Sequence, residues 1–125
     1  MNRQIKFRVW DKRENKGMYT QNMLYDAQLH HFWQDFVDYP GYELMQYTGL
    51  TDKNGKEIYE GDILKISYGA MGDVIGQVLY ESDHGGYIFQ WEQKGPNQNY
   101  INLNCDVAFE SVIVGNIFEH SELLK

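Results

Sequence analysis

Five side chains in this sequence are of the types that hold metals or attack electrophiles: His30, His31, His84, Cys105 and His120. Their spacing speaks against both uses. His30 and His31 are adjacent, and neighbouring side chains of an extended strand point to opposite faces, which does not suit two ligands of one ion. His84 and His120 are solitary, and Cys105 is remote from the rest, so no zinc spacing can be read. Nucleophilic catalysis needs a cysteine or serine beside a base. The surroundings of the cysteine, NLNCDVA, form no recognised elbow, and no G-x-S-x-G occurs. Cys105 therefore reads as a structural or incidental small hydrophobe. No catalytic residue, metal ligand or cofactor is assigned from these residues.

Other chemistry is equally thin. Eighteen acidic residues make some carboxylate pair inevitable, so a hydrolytic pair has no specificity here. The loops GAMGD and DHGG are short and stand between strands, without a helix to receive phosphate. Tyr87, Phe89 and Trp91 alternate onto one strand face; such a face can stack bases, but alternation of this kind more often marks a core.

The elements that would position any site are strands. Arg3 to Trp10 alternates, with Ile5, Phe7 and Val9 on one face and Lys6, Arg8 and Trp10 on the other, a half-buried strand. Further strands are predicted at Met18–Tyr25, Leu29–Trp33, Glu43–Thr48, Lys56–Tyr59, Ile63–Tyr68, Val74–Glu81, Tyr87–Glu92, Tyr100–Leu103 and Ser111–Phe118. Loops fall at Asp35–Gly41, GAMGD, SDHGG and KGPNQN, and HSELLK closes with one helical turn capped by Ser121. Gly61, Gly76 and Gly115 sit where a curling sheet must bend. The predicted fold is mostly β: a small antiparallel barrel-like (SH3-like) domain with additional hairpins and a short C-terminal helical turn, residues 1–125 forming one domain. Phe7, Val9, Leu64, Ile66, Val78 and Ile113 are predicted to share one core.

The densest stretch is YTGLTDKNGKEIYEGDIL, Tyr47 to Leu64. Asn54-Gly55 predicts a tight two-residue turn with positive φ at both positions. Gly61 supplies a backbone shape that a side chain forbids, and Asp62 accepts bonds from nearby turn amides. Tyr47 and Tyr59 each carry an apolar ring and a polar tip, suited to anchoring a corner or facing a ligand. With Trp10 from the opening strand, the candidate binding residues are Tyr47, Tyr59, Asp62 and Trp10.

Charge narrows the partners. The net charge of −7 disfavours passive binding to nucleic-acid backbones or anionic membranes. The one basic cluster, Arg3, Lys6, Arg8, Lys12, Arg13 and Lys16, is diluted by Asp11 and Glu14 and reads as a solvated strand face plus a charged turn. A single cysteine excludes an intrachain disulfide and fits a reducing compartment. With no signal-peptide pattern and no long apolar run, a cytoplasmic protein is expected.

The block LMQYTGLTDKNGKEIYEGDIL resembles the YopX family of small proteins encoded in phages and prophages of Gram-positive bacteria. IKFRVWDKRENKGMY is similar to the family's opening strand and turn, GQVLYESDHGGYIFQW to its central hairpin, and VIVGNIFEHSELL to its closing segment. In that last segment His120-Ser121 stands where the more usual form has Asn-Pro. The stretches Gln21–Gly41 and Lys94–Glu110 lie outside the resemblance. It implies a mostly β, barrel-like fold and a phage or prophage origin, and carries no activity over. The expected function is a non-enzymatic protein-binding module acting on a host or phage protein in the bacterial cytoplasm, with self-association as a further possibility. The alternative is a nucleic-acid-associated factor of phage DNA metabolism or regulation; generic nucleic acid and membrane are not expected partners.

Overall fold

Alternation of apolar and polar residues becomes nine strands among the residues that the computed structural model describes, 5–11, 22–25, 42–67, 72–91 and 99–124. They are β1 (Phe7–Asp11), β2 (Asn22–Tyr25), β3 (Tyr42–Thr51), β4 (Glu57–Tyr59), β5 (Asp62–Ser67), β6 (Asp73–Glu81), β7 (Gly86–Trp91), β8 (Tyr100–Asn102) and β9 (Ser111–Asn116). The fold is mostly β, with one sheet curled into a half-barrel and a second sheet present. This is the class that the sequence predicts; the strand order does not establish the SH3-like detail. The predicted strand at Leu29–Trp33, the loop Asp35–Gly41, residues 94–98 of the loop KGPNQN, the pair His30-His31, and Arg3, Lys12, Arg13 and Lys16 lie outside the described residues.

The chain divides into two compact units, residues 1–47 and 48–125. In the first, β1 is central, antiparallel to β2 on one side and β3 on the other. A central strand can be covered on both faces, and β1 is: Val9 is buried with Phe7 and Leu24 against it, and Arg8 and Trp10 of the opposite face are buried too. This corrects the half-buried strand with a solvated basic face. Arg8 is only 3% exposed, while Ile5, predicted on the apolar face, is open to solvent.

In the second unit five antiparallel strands run in the order β8-β7-β6-β5-β9. Leu64, Ile66, Val78 and Phe89 alternate onto one face and are buried together with Ile58, Leu103 and Ala108. Tyr87, Trp91 and Ile113 pack partly buried against them, so the aromatic stripe of β7 is core lining. Of the six predicted core residues, Val9, Leu64, Ile66 and Val78 are buried and Phe7 and Ile113 are half-buried. They occupy two clusters rather than one, because Phe7 and Val9 belong to β1. The β5–β9 register slips between Ile63, opposite Gly115, and Leu64, opposite Ile113, leaving Val114 as an extra residue that bends the strand.

The turn at Asn54-Gly55 differs from the prediction. Gly55 has φ 81°, but no non-glycine among the described residues has positive φ. The loop is Lys53–Gly55, closed by Asp52 N–H donating to the Lys56 carbonyl (2.8 Å) and Gly55 N–H to the Asp52 carbonyl (3.0 Å). Such three-residue loops need the left-handed conformation only at the last position. The physical reason is Asp52, one residue upstream. Its Oδ1 accepts from the N–H groups of Asn54 and Lys56, both at 2.9 Å, and its Oδ2 accepts from Ile113 N–H at 3.0 Å.

The sequence reading also lacks helix α1 (Cys105–Phe109), whose first turn is capped by Asn104 Oδ1 accepting from Val107 N–H at 3.0 Å. Ala108 anchors it in the core. The predicted C-terminal turn is a 3₁₀ turn, Ser121–Leu124.

Two substitutions test this architecture by urea denaturation. Asp52→Ala strands three backbone donors and is expected to cost about 3 kcal/mol or more, each bond to a charged group being worth ~1.5–3 kcal/mol. Gly76→Ala is expected to cost about 1–3 kcal/mol, because a Cβ there would overlap the backbone carbonyl of Gln90 on β7, and backbone cannot turn aside.

Candidate functional site

The four residues nominated from sequence all point inward. Trp10 and Tyr47 of the first unit are 6% and 7% exposed, and Tyr59 and Asp62 of the second are 4% and 2% exposed. The structure brings Tyr59 and Asp62 together: Asp62 Oδ2 accepts from Tyr59 N–H at 2.8 Å across the turn that Gly61 makes at φ 85°. Tyr47 carries the Lys6 ammonium over its ring, 5.5 Å from the centroid, and its N–H donates to the Lys6 carbonyl. The EGD motif thus does the architectural work expected of it. These side chains offer a partner almost no surface.

Among the described residues, a group of paired aromatic rings that includes the exposed Tyr80 lies at the tip of the β6–β7 hairpin. The strands are in register from Gly76–Trp91 to Glu81–Gly86, which sets Tyr80 directly opposite Tyr87. Their rings meet edge to face, centroids 5.4 Å apart. Cross-strand aromatic pairs of this geometry hold each other in place. Between them the chain reverses through a 3₁₀ turn, Ser82–His84. Gly85 follows at φ 65°, its N–H donating to the Ser82 carbonyl. That turn lays the His84 ring against Tyr100 of β8 at 4.9 Å. Tyr80 is 53% exposed, and Glu81 and Asp83 stand beside it. The tip therefore presents fixed aromatic faces within a negative rim.

Among the described residues no three of His, Cys, Asp and Glu gather where they could hold a metal ion. Cys105, read from sequence as structural or incidental, is a free and exposed thiol at the start of α1. His120 serves structure, its Nδ1 accepting from Asn116 N–H at 3.2 Å while its ring fills the space above Gly115. Sequence reasoning missed Tyr80, His84 and Tyr100. A signal was present, since counting outward from a four-residue loop, Ser82–Gly85, pairs Glu81 with Gly86 and Tyr80 with Tyr87.

These features define a class before a family: a mostly β protein whose distinctive turn motif is spent on its own scaffold. The profile described as YopX protein matches residues 6–125, and the chain belongs to the YopX family. The solved structure of protein EF1440 from Enterococcus faecalis is similar to it, with 25% identity and a TM-score of 0.57 over 99% of this chain and 100% of that one. No curated protein matches the chain. No helix among the described residues is long and apolar enough to cross a membrane.

Tyr80→Ala is expected to lower stability by no more than about 1.5 kcal/mol, the upper range for such an aromatic pair. Thermal or urea unfolding checks this, and a small effect makes the variant a clean probe of the surface.

Proposed function

We propose that this chain is a non-enzymatic protein-binding module that contacts a host or phage protein in the bacterial cytoplasm through the β6–β7 hairpin tip. The observation that supports it is the exposed Tyr80, held edge-on by Tyr87 and neighboured by the His84–Tyr100 pair. Tyrosine gives a contact large amphipathic area at small entropic cost, because only two side-chain torsions need fixing. Such rings concentrate binding energy at interfaces. Glu81 and Asp83 add negative charge beside the rings, and the chain carries −7 overall, so the partner surface is basic.

The alternative, a nucleic-acid-associated factor, rests on the basic opening strand together with aromatic faces of the barrel-like body, and needs that strand as a source of cations. Burial of Arg8 weakens it.

The test is capture from nuclease-treated host lysate with a photo-crosslinking residue at position 82, in the parent chain and in Tyr80→Ala. A discrete protein adduct, lost in Tyr80→Ala and resistant to nuclease, is the expected result. An adduct unchanged by Tyr80→Ala, or one that nuclease abolishes, overturns the proposal. In parallel, polarisation titration with duplex DNA near physiological salt is expected to show no binding; micromolar, salt-sensitive affinity promotes the alternative.

A further inference from the structure

The hairpin tip carries enough chemistry to name the group it recognises. Val78, Tyr80, Tyr87 and Phe89 share one sheet face, since Val78 is registered opposite Phe89 and Tyr80 opposite Tyr87. The inner pair, Val78 and Phe89, is fully buried core. The outer pair is where that apolar stripe runs out into solvent: Tyr87 is half-buried and Tyr80 exposed. Among the described residues the one ring that Tyr80 meets is Tyr87, at 5.4 Å with 73° between the planes. A ring has two faces, and an edge-to-face neighbour covers one at most, so Tyr80 keeps a face open.

The charge along this part of the chain has one sign. Val74 to Trp91 contains Glu81 and Asp83 and neither lysine nor arginine. Residues 66–125 hold eight acidic side chains against two basic ones, Lys94 and Lys125, so nearly all of the excess negative charge belongs to the part that bears the hairpin. Neither Glu81 nor Asp83 forms an ion pair with a described residue, and His84 of the same turn lies against Tyr100. An apolar partner side chain set on Tyr80 gains nothing from these carboxylates. A cation gains from the carboxylates and from the negative face of the ring together. The two basic side chains differ here. A guanidinium is planar and weakly hydrated and stacks on an aromatic face; an ammonium is a compact, strongly hydrated point charge that gives up more water to reach the same place.

We propose that the open face of Tyr80 receives an arginine side chain of the partner protein, its guanidinium stacked on the ring within the field of Glu81 and Asp83. This rests on the reading of the tip as a protein contact and names the group that the contact recognises.

The experiment is two-dimensional NMR of the full-length, isotope-labelled chain near physiological salt, titrated with a blocked peptide of arginines spaced by glycines. Matched peptides carrying lysine, or citrulline as the uncharged analogue of arginine, are the controls. The arginine peptide is expected to shift the Tyr80 ring signals and the backbone amide signals of the hairpin tip saturably in the millimolar range. The lysine peptide should bind at least roughly twofold more weakly, and the citrulline peptide should leave the signals in place. Tyr80→Phe keeps an aromatic face and should bind like the parent. Tyr80→Leu keeps an apolar side chain without that face and should lose about two- to fivefold in affinity, the ratio that an exposed cation–π contact supplies. The double variant Glu81→Gln, Asp83→Asn should lose at least roughly twofold. Backbone spectra unchanged outside the tip show that the variants fold. The proposal is overturned if the arginine peptide leaves the tip signals in place, if lysine or citrulline binds as tightly, or if Tyr80→Leu or the double variant binds as well as the parent. Its failure is separable from failure of the protein-binding reading. A Tyr80-dependent crosslink alongside an inert arginine peptide keeps the protein contact and sinks the arginine; arginine binding without any crosslink sinks the protein contact and keeps the site.

Discussion

One buried carboxylate organises the second unit. Asp52 is 3% exposed and engages three backbone donors, two in its own hairpin and one on β9. Ionised oxygen inside a protein is costly unless such donors surround it, and here they come from segments sixty-one residues apart in sequence. Lys53 N–H donating to the Ser111 carbonyl repeats the tie one residue along, and Ser111 Oγ donates to the Ala108 carbonyl. Turn, strand β9 and the end of α1 are thus joined through polar atoms, in addition to the apolar cluster that Ala108 and Ile113 share. The apolar cluster of Ile58, Leu64, Phe89 and Ala108 forms beside that joint.

This arrangement explains which parts of the fold were legible in the sequence. Strands β5 to β7 were, because their alternation and the turn between Glu81 and Gly86 each depend on local residues. The location of the Asn54-Gly55 turn was also legible, yet its type was not. Turn chemistry there is set by Asp52, whose side chain competes for the same amides, and by an acceptor on Ser111 that no local window contains. Arg8 and Trp10 were misjudged for a similar reason. Period-two patterning says that a strand has two faces but not what covers each, and in β1 residues of both faces, Val9 on one and Arg8 and Trp10 on the other, are buried. Helix α1 is five residues long, too short for periodicity to register, and its one sequence signal is the Asn104 cap.

The candidate sites were harder to read. Tyr47, Tyr59, Asp62 and Trp10 drew attention because they sit in or near a dense motif, and density of polar and aromatic residues marks corners as readily as surfaces. In the folded chain they are buried. Asp62 and Asp52 show the general case: a short acidic side chain beside a glycine turn is positioned to accept from that turn, so its charge is directed inward.

What remains open for recognition is decided by which groups the scaffold leaves accessible. Along the β6–β7 hairpin these fall into two chemically distinct sets. At the tip, Tyr80 and its neighbours are aromatic faces with carboxylates beside them, fixed by ring contacts and open to solvent. Three residues back along each strand, Gln77 and Gln90 are neutral amides turned away from the core. Gly76 makes the second set possible. Its missing Cβ lets the Gln90 carbonyl approach where any other residue would collide, drawing β6 and β7 together where the two glutamines pair. The spacing of the hairpin is therefore set by a glycine, and the chemistry displayed on it by the register that the Gly85 turn enforces. A one-residue slip would exchange the faces of one strand, placing a glutamine toward Leu64 and Val78 and an aromatic ring in water. The same hydrophobic penalty that keeps Phe89 inside thus holds the amides and the exposed tyrosine in their positions.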